Sequence, residues 1–448
     1  MERLFALPKL FEQRLQAQLG AEMDAFRKSL QQPQPISIRL NLRKKYPAPP
    51  ERIAWCRTGY YLPQRPVFTL DPALHAGAYY VQEASSMFLE EAVRQLPVNT
   101  PLRVLDLCAA PGGKSTHLLS LLHPESLLVT NEVIRSRASI LSENIQKWGY
   151  ANVVVTNNDP ADFAALPGFF DMMLIDAPCS GEGLFRKEPD AMNEWSEDNV
   201  QLCAARQKRI VSDAWPALRE DGFLVYSTCT YSTAENEGNL VWMHENHRVE
   251  FVEIENLPEG VEEVRPKPGV VGYRLYPHRL QGEGFFLSVM RKKEAQATER
   301  RKFSKDSLKA SLQSKWLPPD FHLQKQDDLV MGWPATLTQD ILLVSERLHA
   351  ITKGVAMATV KHNKWIPEHA LALSVDLNRF EFAQIEVSKE QAIQYLRKDT
   401  LAPFTADKGF ALVVYEGNAL GWINQLGNRV NNLYPSNWRI RMEAGASR

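Results

Sequence analysis

The stretch LRVLDLCAAPGGKST at 102–116 runs from an apolar segment through a Pro-Gly-Gly turn into a more polar segment. The apolar run predicts a buried strand that closes near Asp106, and a helix is expected to begin near Lys114. Glycine permits close backbone approach, and the N-terminus of a helix presents free N–H donors. This stretch therefore predicts a site for an anionic group, either a carboxylate or a phosphate.

The phosphate alternative can be tested on the letters themselves. The string GGKST ends like a P-loop, which requires G-x-x-x-x-G-K-[ST]. Counting five residues back from Gly113 reaches Cys108, so the first glycine of that motif is missing. The dinucleotide fingerprint G-x-G-x-x-G is also absent from the stretch. The sequence therefore disfavours a nucleotide triphosphatase.

Strand-like and helix-like segments alternate on either side of this turn. Apolar strands that alternate with helices are typical of a doubly wound, largely parallel α/β sheet, in which ligands bind beyond the carboxyl ends of the strands. We therefore predict an α/β fold with a Rossmann-like sheet. The predicted strands are LRVLDL at 102–107, LLVTNE at 127–132, NVVVTN at 152–157, DMMLID at 171–176 and FLVYSTCT at 223–230, and the clearest helices are RSRASILSENIQKWG at 135–149 and a long one near 196–219.

Polar or reactive residues close each of these strands or follow it directly. They are Asp106, Glu132, Asp159, Asp176 and Cys229. Because the carboxyl ends of parallel strands meet at one edge of a sheet, these five side chains are expected to converge on one rim. Glu132 is placed to bind ribose hydroxyls, and Asp159 to accept from an adenine amino group. This arrangement favours S-adenosylmethionine over a nucleotide triphosphate.

Two cysteines lie in short strings at the same predicted rim, DAPCSGEG at 176–183 and YSTCTYS at 226–232. A thiolate that adds to C6 of cytosine makes C5 nucleophilic towards a methyl group. Cysteine suits this role, because its ordinary pKa of about 8.5 needs little lowering. A second group must then remove the C5 proton. The residues alone leave open which cysteine attacks, and also the alternative that both are small buried hydrophobic side chains.

Composition limits the remaining classes of protein. The chain has 448 residues and five scattered cysteines without a CxxC pair, so neither a disulfide framework nor a zinc site is expected. No run of about 18 apolar residues occurs, which predicts a soluble cytoplasmic protein without a membrane segment. No metal is expected, and we expect a monomer.

The charge balance is unusual for a nucleic-acid-binding protein. The chain carries 52 Lys and Arg against 53 Asp and Glu, a net charge of −1, so RNA binding would have to use local patches. One candidate is 291–315, with nine basic and three acidic residues, as either a phosphate-contacting strip or a solvated linker. Another is the group of Tyr434, Trp438 and Arg439, which either stack on RNA bases or belong to a β-sheet core.

The chain divides by composition into five parts. We predict a small N-terminal α/β domain at 1–85, the Rossmann-like domain at 86–293, a basic linker at 294–324, a mixed region at 325–387 that the sequence does not resolve, and a β-rich domain at 388–448.

Several separated motifs together resemble one protein family. DLCAAPGGK, DAPCSGEG and STCT resemble the motifs of the Nop/Sun family of RNA cytosine-5 methyltransferases, and ISIRLN at 36–41 and YYVQEASSM at 79–87 are similar to that family's N-terminal segments. The C-terminal KGFALVVYEGNALGW and NNLYPSNWRIR resemble the PUA-like tail of its bacterial RsmF-like branch, which modifies small-subunit ribosomal RNA. The resemblance implies a methyltransferase sheet followed by a PUA-like RNA-binding domain.

The resemblance also implies roles for individual residues. Cys229 would be the nucleophile, Cys179 the second thiol that allows product release, and Asp176 a carboxyl group near N3 of the base. Arg186 and Lys187 would contact the target phosphate or orient the base, unless they form a solvated basic turn. The resemblance places S-adenosylmethionine on Cys108, Ala109, Ala110, Pro111, Gly112, Gly113, Lys114, Glu132, Asp159 and Asp176.

The expected function is formation of 5-methylcytosine in 16S ribosomal RNA, with 16S rRNA or the small ribosomal subunit as partner. The target base must leave its stack to reach such a site. Two alternatives stay open at this point: the same chemistry on transfer RNA, and a noncatalytic RNA-binding factor in ribosome assembly.

Overall fold

The structure, a computed structural model, describes residues 7–298, 312–404 and 407–442. Its N-terminal part begins with two short helices and continues into a four-stranded antiparallel sheet of order β2-β3-β1-β4. The elements are α1 (Lys9–Leu19), α2 (Met23–Leu30), β1 (Ile36–Leu40), β2 (Glu51–Arg52), β3 (Gly59–Leu62), α3 (Pro72–His75) and β4 (Tyr79–Val81).

The two N-terminal helices form a hairpin because their apolar residues recur at helical spacing. Phe11, Leu15 and Leu19 are buried along α1, and Phe26 is buried on α2. These side chains pack in one cluster with Phe185, Tyr231 and Tyr276 of the central domain. The hairpin therefore lies over the two segments that carry the cysteines of the predicted site.

The central domain contains the sheet that the sequence predicts. Its elements are α4 (Leu89–Arg94), β5 (Arg103–Asp106), α5 (Gly113–Leu121), β6 (Leu127–Asn131), α6 (Arg135–Trp148), β7 (Val153–Thr156), β8 (Phe170–Asp176), α7 (Ala191–Glu194), α8 (Glu197–Ala214), β9 (Leu218–Thr228), α9 (Glu237–Asn246), β10 (Val249–Phe251), β11 (Glu262–Lys267), β12 (Val270–Leu275) and β13 (Phe285–Lys292).

The strands β9-β8-β5-β6-β7 are mutually parallel, and β13, β12 and β11 extend the sheet in antiparallel fashion beyond β9. The chain leaves β5 towards β6 on one side and returns to β8 on the other. The strand order therefore reverses between β5 and β8. Ligands of open α/β sheets bind in the crevice beyond the carboxyl ends at such a switch point.

Helices cover both faces of this sheet. Leu118 of α5 and Leu141 of α6 are fully buried in the core on one face. Val211 of α8 and Leu240 of α9 are buried in the core on the other face. The predicted α/β class with a doubly wound, Rossmann-like sheet is therefore confirmed.

The C-terminal part contains two further four-stranded sheets, of order β14-β15-β17-β18 and β19-β20-β21-β22. Its elements are β14 (Phe321–Gln326), β15 (Leu329–Pro334), α10 (Thr338–Arg347), β16 (Ala350–Lys353), β17 (Val355–Lys361), β18 (Lys364–Pro367), α11 (His369–Leu373), β19 (Ala383–Glu386), α12 (Lys389–Arg397), β20 (Gly409–Tyr415), β21 (Asn418–Gln425) and β22 (Val430–Asn432).

The region 325–387, which the sequence leaves unresolved, contributes strands to three sheets. Strands β15, β17 and β18 belong to the first of the two C-terminal sheets. Strand β16 pairs antiparallel with β7, as in the register of Thr352 with Val155, and so adds an edge strand to the central sheet. Strand β19 pairs parallel with β20 and lies before the predicted start of the β-rich domain at 388.

The predicted basic strip at 291–315 falls largely at 299–311, outside the described residues. At its described start, Lys292 is buried and donates hydrogen bonds to the carbonyls of Trp215 and Leu218 at 2.9 and 2.8 Å. That amine therefore serves the packing of the protein and not a phosphate contact.

The aromatic residues near the C-terminus belong mainly to the core. Tyr434 is 1% exposed, and its ring contacts the rings of His369 and Tyr395 edge-on. Trp438 packs against His369, while Arg439 is exposed. The β-sheet-core alternative therefore applies to Tyr434. No helix in the described part of the chain combines the length and apolar character needed to span a bilayer.

Candidate active site

A cavity of about 270 Å³ opens at the switch point between β5 and β8. Three parts of the chain form it: β4 of the N-terminal sheet with the segment that follows it, the rim of the central sheet, and the start of β13. Its lining residues are Tyr80, Val81, Gln82, Glu83, Ser86, Asp106, Cys108, Ala109, Ala110, Pro111, Gly113, Lys114, Asp176, Leu184, Cys229, Glu283, Gly284 and Phe285.

The Pro-Gly-Gly turn takes the shape that its glycines permit. Gly112 has φ +110°, and a Cβ there would lie 3.2 Å from Cδ1 of Leu141. Helix α6 fixes the turn from outside, because Arg137 donates to the carbonyl of Ala110 at 3.0 Å and Asn144 to that of Pro111 at 2.8 Å. Helix α5 then begins at Gly113, beside the cavity.

Asp106 closes β5 at the floor of the cavity. It is fully buried, and its Oδ2 accepts a hydrogen bond from Ser115 at 2.6 Å. Burial raises the pKa of Asp106 to about 7. Its Oδ1 has no hydrogen-bond partner among the described residues. A buried acceptor without a partner is costly, so this oxygen indicates a place where a ligand donor group completes the site.

The other two acids of the predicted donor site differ in placement. Glu132 is 3% exposed; it accepts from Ile134 N at 2.9 Å and lies 3.3 Å from Arg137. Asp159 caps the short 3₁₀ helix that follows β7, accepting from Ala161 N at 3.1 Å, and its side chain is 43% exposed. Neither residue lines the cavity itself.

Lys114 and Asp176 form an ion pair inside the cavity. Lys114 Nζ lies 2.9 Å from Asp176 Oδ2, and Ser227 donates to Oδ1 at 2.8 Å. Burial acts to lower the pKa of Lys114, but the Asp176 carboxylate outweighs it and the net pKa is raised. The pair therefore presents a fixed donor beside a fixed acceptor.

The two cysteines of the predicted site face each other. Their Sγ atoms lie 3.2 Å apart. Cys229 lies on the cavity wall, whereas Cys179 is not among the residues that line the cavity. The hydrogen bond with Cys229, followed by burial, raises the pKa of the Cys179 thiol. Structure thus distinguishes the two thiols where the residues alone did not.

Backbone and side-chain contacts join the two cysteine-bearing loops. Gly183 N donates to the carbonyl of Cys229 at 2.9 Å. The hydroxyls of Ser180 and Thr230 lie 2.9 Å apart. The mutual position of the sulfurs is therefore fixed by residues next to each cysteine.

Arg186 corrects a prediction about the same loop. Its guanidinium is buried, with Nε 2.9 Å from Glu283, and it donates to the carbonyls of Ser29 and Gly282. Neither the predicted phosphate contact nor the solvated turn applies to Arg186, because its donors are used inside the protein. Burial raises the pKa of Glu283 to about 7 even beside Arg186. Lys187 is half exposed.

Sequence reasoning missed several residues of this site. Glu182 is buried between the two cysteine loops and accepts from Arg14, from Trp195 Nε1 at 2.9 Å and from Tyr231 N at 3.1 Å. Glu235 is equally buried behind the loops. Both acids lie within or beside the quoted motifs, but single letters give no sign of burial.

Known protein families match this architecture. Models for the 16S rRNA methyltransferase RsmB/F, the N-terminal domain of 16S rRNA methyltransferase RsmF and the methyltransferase RsmF PUA domain match residues 95–291, 7–84 and 382–440. Ribosomal RNA small subunit methyltransferase F of Enterobacter sp. (strain 638) is 31% identical over 92% of this chain and 91% of its own length. The protein of the same name from Citrobacter koseri is 32% identical over 86% of this chain and 83% of its own length.

Solved structures share the fold. A methyltransferase homolog protein from Pyrococcus horikoshii is 26% identical, with a TM-score of 0.55 over 64% of this chain and 96% of that chain. NSun6 from Pyrococcus horikoshii is 22% identical, with the same TM-score over 65% of this chain and 100% of that chain.

The fold and the cavity at its switch point define a Rossmann-like methyltransferase. More specifically, the chain belongs to the RsmF family, whose N-terminal, catalytic and PUA domains all match it in order. The resemblance to the Nop/Sun family and its RsmF-like branch is therefore confirmed.

Fold and family imply S-adenosylmethionine, and the residues present fit that group. The unpartnered Oδ1 of Asp106 offers an acceptor to its ammonium group. The N–H donors at the start of α5 suit its carboxylate. Glu132, buried at the end of β6, offers an acceptor to ribose hydroxyls.

Proposed function

We propose that this protein forms 5-methylcytosine in 16S ribosomal RNA through a transient bond between Cys229 and C6 of the target cytosine. The observation that carries the proposal is the pair of sulfurs 3.2 Å apart, of which only Cys229 lines the cavity shared with the Pro-Gly-Gly turn. Cysteine thiolates are effective nucleophiles for such additions. The names of the relatives support ribosomal RNA of the small subunit as the substrate.

In this mechanism Cys229 adds to C6, the C6–S bond forms, and negative charge moves into the ring towards C5 and N3. S-adenosylmethionine, when bound along 108–114 and near Glu132, supplies the electrophilic methyl group. Asp159 is half exposed and outside the cavity, so its predicted contact with the adenine stays part of this proposal and rests on the resemblance alone.

The Lys114–Asp176 pair suits the edge of a cytosine. That base presents an amino donor at N4 next to acceptors at N3 and O2. Asp176 offers the acceptor, and the Lys114 ammonium offers a donor that also stabilises charge developing in the ring. Hydrogen bonds from Lys114 and Ser227 orient the Asp176 side chain.

Cys179 completes the reaction in this proposal. After methyl transfer the Cys179 thiol gives its proton to solvent, the resulting thiolate takes the C5 proton, the electrons of the C5–H bond re-form the C5–C6 double bond, and Cys229 leaves as thiolate. The 3.2 Å separation of the two sulfurs, with only Cys229 lining the cavity, supports this order of roles. A substrate in the small ribosomal subunit would place the protein in the cytoplasm.

The test uses the full chain with its methyl donor and 16S rRNA or small subunits. Cys229→Ala is expected to abolish methylation, and Cys179→Ala to accumulate a covalent protein–RNA band on a denaturing gel. The reverse pattern would exchange the two roles, and methylation by Cys229→Ala at the normal rate would refute the covalent mechanism.

Bisulfite sequencing of ribosomal and transfer RNA from cells that lack the gene identifies the substrate. Loss of one protected cytosine in 16S rRNA is expected. Loss restricted to transfer RNA would refute the substrate while keeping the chemistry, and no loss at all would favour the noncatalytic assembly factor.

A further inference from the structure

Glu235 is a buried carboxylate that contacts both cysteine-bearing loops. It is 0% exposed. Its Oε2 accepts from Ser180 N at 3.0 Å and from Gln207 Nε2 at 2.8 Å, and its Oε1 accepts from the hydroxyls of Ser180 and Thr230. Ser180 follows Cys179 and Thr230 follows Cys229, so a single carboxylate is bonded next to each sulfur.

No cation neutralises this carboxylate among the described residues, since neither Lys nor Arg forms an ion pair with it there. The comparison with Glu182 is direct, because Glu182 lies in the other cysteine-bearing loop, is equally buried, and is paired with Arg14. Four hydrogen-bond donors around an isolated carboxylate favour its ionised form. Glu235 therefore brings an uncompensated negative charge behind the thiol pair.

Opposite charges flank the two sulfurs. Lys114 lies in the cavity with Cys229 and interacts electrostatically with it, whereas Glu235 interacts with Cys179. A nearby cation favours a thiolate, and a nearby anion disfavours one. The other titratable groups that face the pair or Glu235 are Asp176 of β8, Glu182 of the loop after β8, Tyr226 of β9 and Cys203 of α8.

We propose that Glu235 is a positioning residue that keeps the proton of the thiol pair on Cys179 and thereby leaves Cys229 as the thiolate. The proposal rests on the roles assigned to the two cysteines under the proposed function. One proton leaves the pair to solvent, and the other stays on Cys179 Sγ, which donates a hydrogen bond to Cys229 Sγ. No other bond changes, and no oxidant or further reactant is needed.

The direction of the pKa shift of Cys179 agrees with a proton that stays on its sulfur. The pKa of Cys179 is raised by its hydrogen bond to Cys229, then by burial, and further by the charge of Glu235. Burial also raises the pKa of Glu235 itself, partly offset by its hydrogen bonds from Ser180 and Gln207. The hydrogen bonds from Ser180 and Gln207 act to keep Glu235 ionised.

The Glu235→Gln variant tests the negative charge of Glu235 separately from its hydrogen bonds. The glutamine oxygen can occupy the place of Oε2 and accept from the fixed N–H donors of Ser180 and Gln207. Its amide nitrogen then faces the hydroxyls of Ser180 and Thr230, which rotate to accept. The substitution removes the charge and keeps the hydrogen bonds that hold the loops.

The experiment measures the rate of iodoacetamide alkylation at Cys179 against pH, by peptide mass spectrometry, in the full chain carrying Cys229→Ala. We expect Glu235→Gln to lower the pH midpoint at Cys179 by about one unit. Glu182→Gln is the matched control and should leave the midpoint in place, because Glu182 accepts from Arg14, Trp195 and Tyr231 and not from the residue next to Cys179.

A second measurement keeps Cys229. In the otherwise unchanged protein at pH 7.5, Cys229 is expected to be alkylated faster than Cys179, and Glu235→Gln to reduce that preference about tenfold. The proposal would be overturned if Glu235→Gln left unchanged both the pH midpoint at Cys179 and the preference for alkylation of Cys229. Glu235 would then only hold the loops, and an inactive Glu235→Ala variant would not alter that conclusion. Methylation by Cys229→Ala would instead refute the proposed function, so the two failures are distinguishable.

Discussion

The cavity has two walls that differ in how complete they are. The thiol wall, made of 176–183 and 226–232, has buried acids whose oxygens accept from neighbouring groups, as Glu182 does from Arg14 and Tyr231. The turn wall, made of Asp106 and 108–114, has a buried oxygen of Asp106 with no partner among the described residues. The protein alone therefore fixes the thiols, whereas the turn wall leaves a buried acceptor that a bound ligand would partner.

The first prediction concerns the incomplete wall. The folded-state pKa of Asp106 is about 7, above its ordinary value of 3.8. The contribution of the neutral Asp106 carboxyl group to the free energy of unfolding is fully present below about pH 4 and is lost as the pH rises through 7. Urea denaturation should therefore show a loss of about 2 to 4 kcal/mol across that window.

Asp106→Asn should remove most of this slope, because asparagine stays neutral. Asp198→Asn, in the exposed first turn of α8, is the control and should keep it. An equal slope in the Asp106 variant and the parent would mean that the turn wall is as complete as the thiol wall.

The second prediction concerns the thiol wall. Arg14→Met leaves Glu182 buried without its cation, which should lower the free energy of unfolding by about 3 kcal/mol. Arg27→Met on the same helical hairpin is the control, since Arg27 and Glu12 are 40% and 37% exposed and their pair should contribute less than about 1 kcal/mol. Equal losses of unfolding free energy in Arg14→Met and Arg27→Met, measured by chemical denaturation, would contradict the dependence of the thiol wall on the Arg14–Glu182 pair.

The third prediction compares one glycine from each wall. A Cβ at Gly183 would lie 2.7 Å from the carbonyl oxygens of Cys229 and Gly284, so Gly183→Ala must displace the backbone of the nucleophile. We expect a fall in kcat of about a hundredfold. A Cβ at Gly113 would meet the Tyr80 ring at 3.3 Å, and that side chain can yield, so Gly113→Ala should cost less than about tenfold. Single-turnover methylation assays measure both variants. A larger loss of rate in Gly113→Ala than in Gly183→Ala would contradict this comparison of the two walls.

The smallest effect is expected for the two outer acids. Glu132→Gln should weaken binding of S-adenosylmethionine about tenfold, since Glu132 is buried and oriented at the end of β6. Asp159→Asn should change it less than about threefold, because Asp159 is half exposed and outside the cavity. Isothermal titration calorimetry measures both. A larger effect at Asp159 would show that the donor site extends further than the cavity.

Local patterns in the sequence were sufficient to predict the strands of the central sheet and the residues that meet at its rim. Apolar runs such as NVVVTN form buried strands because their side chains are covered on both faces of a parallel sheet. The turn at Gly112 and the convergence of Asp106, Asp176 and Cys229 follow from glycine geometry and from parallel pairing. These features depend on neighbours in sequence or on the next strand.

Arg186 shows why other features could not be read in this way. Its neighbours in sequence, GLFRKEPD, indicate an exposed basic turn, yet its partners Ser29 and Glu283 lie far away along the chain. Strand β16 is a similar case, because a short segment at 350–353 joins a sheet whose other strands end 58 residues earlier, at Lys292.

The α/β class, the ligand turn and the presence of two cysteines at one rim could be read from the residues alone, because each is encoded by periodicity, by glycine or by the end of a strand. The folded arrangement was needed to show that Cys229 and not Cys179 lines the cavity, and that Glu182 has a cationic partner whereas Glu235 has none among the described residues. Burial and charge compensation arise from segments distant in the chain, and no local pattern records which of them come together.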